Sequence, residues 1–97
     1  MTCFEVSINE KLVCTAGIND ETGMLLALLE LFKRQKQSKG RHRRDYLKLR
    51  VSGSEINDGC LEQVHWLNQQ VKVGDVIKIK IVETSKFDKP KSRESLE

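Results

Sequence analysis

The sequence predicts an α+β domain: a small antiparallel sheet with one helix at about residues 22–36. Three observations carry this. The first eighteen residues place apolar side chains at even positions, the pattern of a strand pair with one buried face. Residues 24–36 are all good or fair helix formers and include no β-branched side chain. Val76 to Glu83 alternates Ile77, Ile79 and Ile81 with Lys78 and Lys80, the signature of a half-buried strand.

In the opening segment Phe4, Val6, Ile8, Leu12, Cys14, Ala16 and Ile18 share one face, and Asn9-Glu10-Lys11 supplies a turn. A three-residue loop over 9–11 pairs Ile8 with Leu12, Val6 with Cys14 and Phe4 with Ala16. A two-residue loop would set Ile8 against Lys11 and mix the faces, so register favours the odd-length loop. Cys14 then faces the core and Cys3 faces away. Asn19 to Gly23 reads as a loop with helix-start chemistry, Asp20 or Thr22 capping. From Met24 to Phe32 the only polar residue is Glu30. A helix apolar all round must be buried on more than one side. The same run also reads as an unbroken central strand, 24–33, of an all-β sandwich. Propensity favours the helix.

Residues 33–44 form a polar, basic stretch with Ser38 and Gly40, read as a helix end and loop. From Asp45 to Ser52, Leu47, Leu49 and Val51 alternate with Tyr46, Lys48 and Arg50, a strand. Turn chemistry follows at 52–55 and 57–59. Leu61 to Leu67 fits a short strand with Val64 and Trp66 on one face, and Gly74-Asp75 a tight turn before the last strand. One domain spans 1–83. Residues 84–97, polar and holding the only proline, Pro90, read as a flexible tail. Leu96-Glu97 reads as a cloning remnant.

This order, two strands, a helix and further strands, with Val73-Gly74-Asp75-Val76 before the final one, resembles the β-grasp architecture of ubiquitin-like domains and small sulfur carriers. Short bacterial proteins of uncharacterised function are also similar. The carriers' activity rests on a terminal Gly-Gly, and this chain has no glycine after Gly74, so the resemblance implies a fold and no chemistry.

Composition bounds the function. Ninety-seven residues make one domain with a single core. The longest apolar run, Met24 to Leu29, is far too short to span a bilayer, and the N-terminal residues lack a basic-then-apolar leader, which predicts a cytoplasmic protein without a membrane partner. Cys3, Cys14 and Cys60 are odd in number and have no metal-ligand spacing, so they read as reduced thiols, with Cys3 and Cys60 partly exposed; neither metal nor cofactor is expected. Cys60 and His65 stand five apart as a conceivable nucleophile and base, but no third group orients them. The carboxylates show no pairing pattern, and there is no Gly-rich phosphate loop. Catalysis is not expected.

Two surfaces remain. From Lys33 to Arg50 there are nine basic residues and one acid, a local charge of +8, while the rest of the chain carries −5. Arg41, Arg43, Arg44, Lys48 and Arg50 are candidate phosphate or nucleic-acid contacts, because arginine's planar fork matches phosphate. If the strands bearing Lys48/Arg50 and Lys78/Lys80 were neighbours, four cations would form one patch, with Glu5 and Glu62 as internal counter-charges. Against this, Tyr46 is the only aromatic close to the segment, and single-strand binders use several. The second surface comes from the run 24–32: a helix burying Leu25, Leu28, Leu29 and Phe32 leaves Met24, Ala27 and Leu31 on its flank as a candidate interface for a protein partner or a second copy. The expected function is a non-catalytic interaction domain, with nucleic-acid or phosphate binding as the alternative.

Overall fold

The computed structural model describes residues 1–19, 22–33 and 46–95. Seven strands make up the fold: β1 (Thr2–Ile8), β2 (Lys11–Gly17), β3 (Gly23–Phe32), β4 (Tyr46–Asn57), β5 (Cys60–Val71), β6 (Ile77–Glu83) and β7 (Ser92–Ser95). They form two antiparallel sheets, ordered β2-β1-β6 and β3-β4-β5-β7, packed face to face and not closed into a barrel. The fold is all-β. The α+β, β-grasp-like class with a helix at 22–36 is therefore corrected: among the described residues there is no helix, and Gly23–Phe32 is strand. That strand lies at the edge of its sheet, not at the centre where the all-β reading put it.

Pairing overrides propensity here. Every residue of β3 from Gly23 to Phe32 has a partner on β4, from Glu55 back to Tyr46. Leu25, Ala27, Leu29 and Leu31 meet Gly53, Val51, Leu49 and Leu47 on the face turned toward the other sheet. The single polar residue, Glu30, lies on the outer face, where Arg50 Nε donates to its carboxylate at 2.5 Å. Helix propensity differs among ordinary residues by only tenths of a kcal/mol each. A ready-made apolar partner such as β4 outweighs that. β4 and β5 run twelve residues each, and both continue to a two-residue turn at Asp58-Gly59, where both residues have positive φ.

The opening hairpin keeps Val6 against Cys14 and Phe4 against Ala16, but not by the expected loop. Its turn is the two-residue Asn9-Glu10, with φ of 52° and 70°, and Ile8 stands across from Lys11. Val13 is then an extra residue between the Ser7–Leu12 and Val6–Cys14 pairs, a bulge that restores the buried face. Leu12 consequently turns outward and is exposed.

Val6, Ile8, Cys14 and Ala16 of the smaller sheet pack with Leu49, Val51, Val64, Trp66, Leu67 and Val71 of the larger, giving the one dry interior. A second bulge, at Trp66, lets Trp66 and its neighbour Leu67 both be buried. Phe4 is half-buried, and Ile79, across from Val6, points the same way but is 43% exposed. Cys3 points off the core as expected, yet it is buried: its thiol lies beside Gly17, which is in turn packed against Met1 and Phe87.

Residues 84–95 run along the rest of the molecule. Thr84 N donates to Met1 O, and Met1's amino group pairs with Glu83. Asp88 exchanges bonds with the free edge of β2, Asp88 N to Thr15 O and Thr15 N to Asp88 Oδ2, both 2.8 Å. Trp66 Nε1 donates to Asp88 O at 2.7 Å, Lys91 N donates to His65 O, and β7 then adds to β5. Where composition predicts a mobile tail, the structure has a strap that closes the β2–β5 side of the sandwich.

Candidate interaction site on the open side of the sandwich

The strap closes one side only. β2 lies across from β5, so β1 falls across from β4, and β6 falls on the same side as β3. That side has no cover among the described residues. Leu29 and Leu31 on β3 are 59% and 53% exposed, and Ile79 and Ile81 on β6 are 43% and 70% exposed, although their cross-strand partners place all four on the inward faces. The sandwich thus opens along two edge strands, and its lips are aliphatic.

The two edges differ in chemistry. β6 carries Lys78 and Lys80 on its outer face, and charged residues of this kind hinder edge-to-edge pairing. β3 has no lysine, no proline and no bulge over Gly23–Phe32, and no described strand pairs with its outer edge. It is long, regular, apolar and one-sided in its pairing. Of the three sequence-predicted interface residues, Ala27 and Leu31 lie on the inward face of this strand, whereas Met24 lies on the opposite face, across from Ser54. Ala27 packs against the core, whereas Leu31 on the same face and Met24 on the other are both exposed. Leu29, Ile79 and Ile81 are not reached from the sequence, because a helix over 24–32 puts Leu29 on the buried side and alternation puts the isoleucine stripe on a covered face.

The cation patch does not assemble as one surface. Lys48 and Arg50 project from the outer face of the larger sheet, and Lys78 and Lys80 from the outer face of the smaller, so the two pairs point away from each other. Their counter-charges are local: Glu30 for Arg50, and Glu5 directly across from Lys80. Glu62 instead joins Glu55 on Arg93, with Arg93 Nη1 donating at 2.5 Å to Glu55 and 3.1 Å to Glu62. Arg41, Arg43 and Arg44 lie outside the described residues.

Cys60 and His65 do not come together, and His42 lies outside the described residues. Cys60 and His65 are an odd number of positions apart on β5, with the bulge beyond them, so they point to opposite faces. No group of three or more metal-ligating side chains occurs among the described residues. Glu55, buried beside a cleft of about 440 Å³ lined by Trp66, Phe87 and Lys89, is held by Arg93. Burial pushes the Cys14 thiol up to about 11, with the Asp88 charge adding to it, and burial likewise raises Cys3, which sits near the Met1 and Thr84 carbonyls. Only Cys60 is exposed. A thiol reagent at neutral pH is therefore expected to titrate one cysteine per native chain and three after denaturation. Rapid labelling of two or more in the native protein would contradict the burial described here.

No family model, curated protein or solved structure matches this chain.

Proposed function

We propose that the protein is a non-catalytic interaction module that pairs with a second copy of itself through the free edge of β3. The carrying observation is that strand's composition: a ten-residue edge, apolar at all positions but Gly23 and Glu30, with inward Leu29 and Leu31 more than half exposed. Unpaired backbone groups along such an edge are a template for another strand. Antiparallel pairing of two β3 strands about Leu28 keeps inward faces together, with Leu31 across from the second copy's Leu25 and Leu29 across from its Ala27. The two four-stranded sheets would become one. Covering the exposed halves of Leu29 and Leu31 on both copies contributes about 3–6 kcal/mol, and the new ladder bonds add to it against the cost of association.

Sedimentation of the full chain over a concentration series is expected to show a dimer that dissociates in roughly the micromolar range. Leu31→Glu places a charge at each end of the pairing and is expected to weaken it by about tenfold or more. Leu31 is already half exposed, so the monomer should keep its fold, which the emission of buried Trp66 reports. A wild-type protein that stays monomeric at about several hundred micromolar, or a dimer indifferent to Leu31→Glu, would remove this reading.

A further inference from the structure

The base of the β3–β4 hairpin holds a second constellation, independent of the free edge. Phe32 and Tyr46 are cross-strand partners, their ring centroids 6.0 Å apart and their planes tilted by 50°. With Glu30, Lys48 and Arg50 they line a shallow depression of about 380 Å³ on the outer face of the larger sheet. Tyr46 is the only aromatic inside the segment Lys33 to Arg50, and the pairing of β3 with β4 brings Phe32 to its side. Phe32 is half exposed and Tyr46 partly so.

The charges are arranged asymmetrically. Arg50 is fixed through its Nε on Glu30, and no other contact of its guanidinium is found among the described residues. Lys48, two positions along the same face, makes no ion pair among them. In the sequence, residues 33–45 connect Phe32 to Tyr46 and carry seven basic residues and one acid. Lys48 and Arg50 are two cations against the one carboxylate, Glu30, in the lining of the depression, which is therefore net positive, while the chain outside Lys33 to Arg50 is net negative.

The geometry points to single-stranded nucleic acid as the ligand of this face, with Phe32 and Tyr46 as a stacking platform for bases and Lys48 and Arg50 as contacts for the backbone phosphates. Exposed rings beside cations on a sheet surface suit unpaired bases, whose faces are accessible; a duplex hides those faces in its stack. A lipid headgroup or an acidic protein segment would use the cations and gain little from two tilted rings. Stacking is tolerant of base identity, so the expected recognition is of strandedness, with little sequence preference.

The test compares three probes on the full chain at low salt by fluorescence anisotropy: a labelled thymidine 12-mer, an abasic oligomer with the same phosphate count, and vesicles containing phosphatidylserine. The thymidine oligomer should bind about tenfold or more tighter than the abasic one, and raising the salt should weaken both. Tyr46→Leu keeps an apolar side chain but removes the stacking face, so it should bring thymidine binding down to the abasic level. Lys48→Gln should weaken both oligomers. Tyr46 is the only tyrosine, so its ring signals in the NMR spectrum of the unmodified protein should move upfield with the thymidine oligomer and stay put with the abasic one. That measurement stands even where a variant fails to fold. Equal binding of the two oligomers, unmoved tyrosine signals, or binding to vesicles alone would each overturn the assignment.

Discussion

Replacing Trp66 with alanine is expected to remove about half or more of the domain's stability. Trp66 is 2% exposed, packs at the centre of the two-sheet interior, and holds the strap through its bond to Asp88 O. Loss of such a side chain costs about 3–5 kcal/mol, and the vacated carbonyl adds about 1 kcal/mol. A domain of this size has about 5–10 kcal/mol in all. Urea titration should therefore show a midpoint lowered by half or more. Trp66→Phe separates the two contributions: most of the packing survives, the strap bond does not, and the expected loss is about 1–2 kcal/mol. A protease should then nick residues 84–91 before the rest of the chain. An alanine variant as stable as the phenylalanine one would show that the ring is not the centre of the core.

Gly53→Ala is expected to have a comparable effect for a different reason. A β-carbon at Gly53 would run into the main-chain carbonyl oxygen of Met24 on the neighbouring strand, far inside van der Waals contact, and would also press on Ile18 Cδ1 at 3.1 Å. The side chain of Ile18 can yield, but a backbone carbonyl in a continuous ladder cannot move alone. The strand must shift, at about 3 kcal/mol or somewhat more, the upper end of overpacking costs. Hydrogen exchange should show amides of β3 losing protection before those of β1. Gly59→Ala is the comparison. Nothing lies within 4 Å of a β-carbon there, and only its φ of +78° opposes the change, so about 1–2 kcal/mol is expected. If Gly53→Ala proved milder than Gly59→Ala, the close approach of β3 to β4 would be wrong.

How much of this could be read from the residues depended on whether a pattern had more than one solution. Period-two alternation has one, so the inward set Val6, Ile8, Cys14 and Ala16 was legible before any coordinates. So were Leu49 and Val51 on β4. Loop length was not: a short turn plus a bulge gives the same inward face as a longer turn, and only Leu12, sent outward at the bulge, distinguishes them. The run from Met24 to Phe32 carried no period at all. Its state was decided by β4, a partner distant in the chain, and propensity alone pointed to the wrong one. The same error hid the candidate site, because a helix would have buried Leu29 and separated Phe32 from Tyr46. The strap was illegible for another reason. Its anchors are main-chain groups of Asp88, Lys91 and Thr84, which leave no hydrophobic signature in the sequence.

The position of β1 sets a timetable for the molecule's birth. Its two neighbours are the strand immediately after it and one that begins at Ile77, so a ribosome must deliver most of the chain before the smaller sheet has its third member. Until then the strands from Gly23 to Val71 can meet only the β1–β2 pair, and their aliphatic side is bare to solvent or to a chaperone. Non-local closure of this sort is slow. The nascent polypeptide is therefore most prone to clump just before β6 emerges, an interval that synthesis speed, more than any single side chain, would lengthen or shorten.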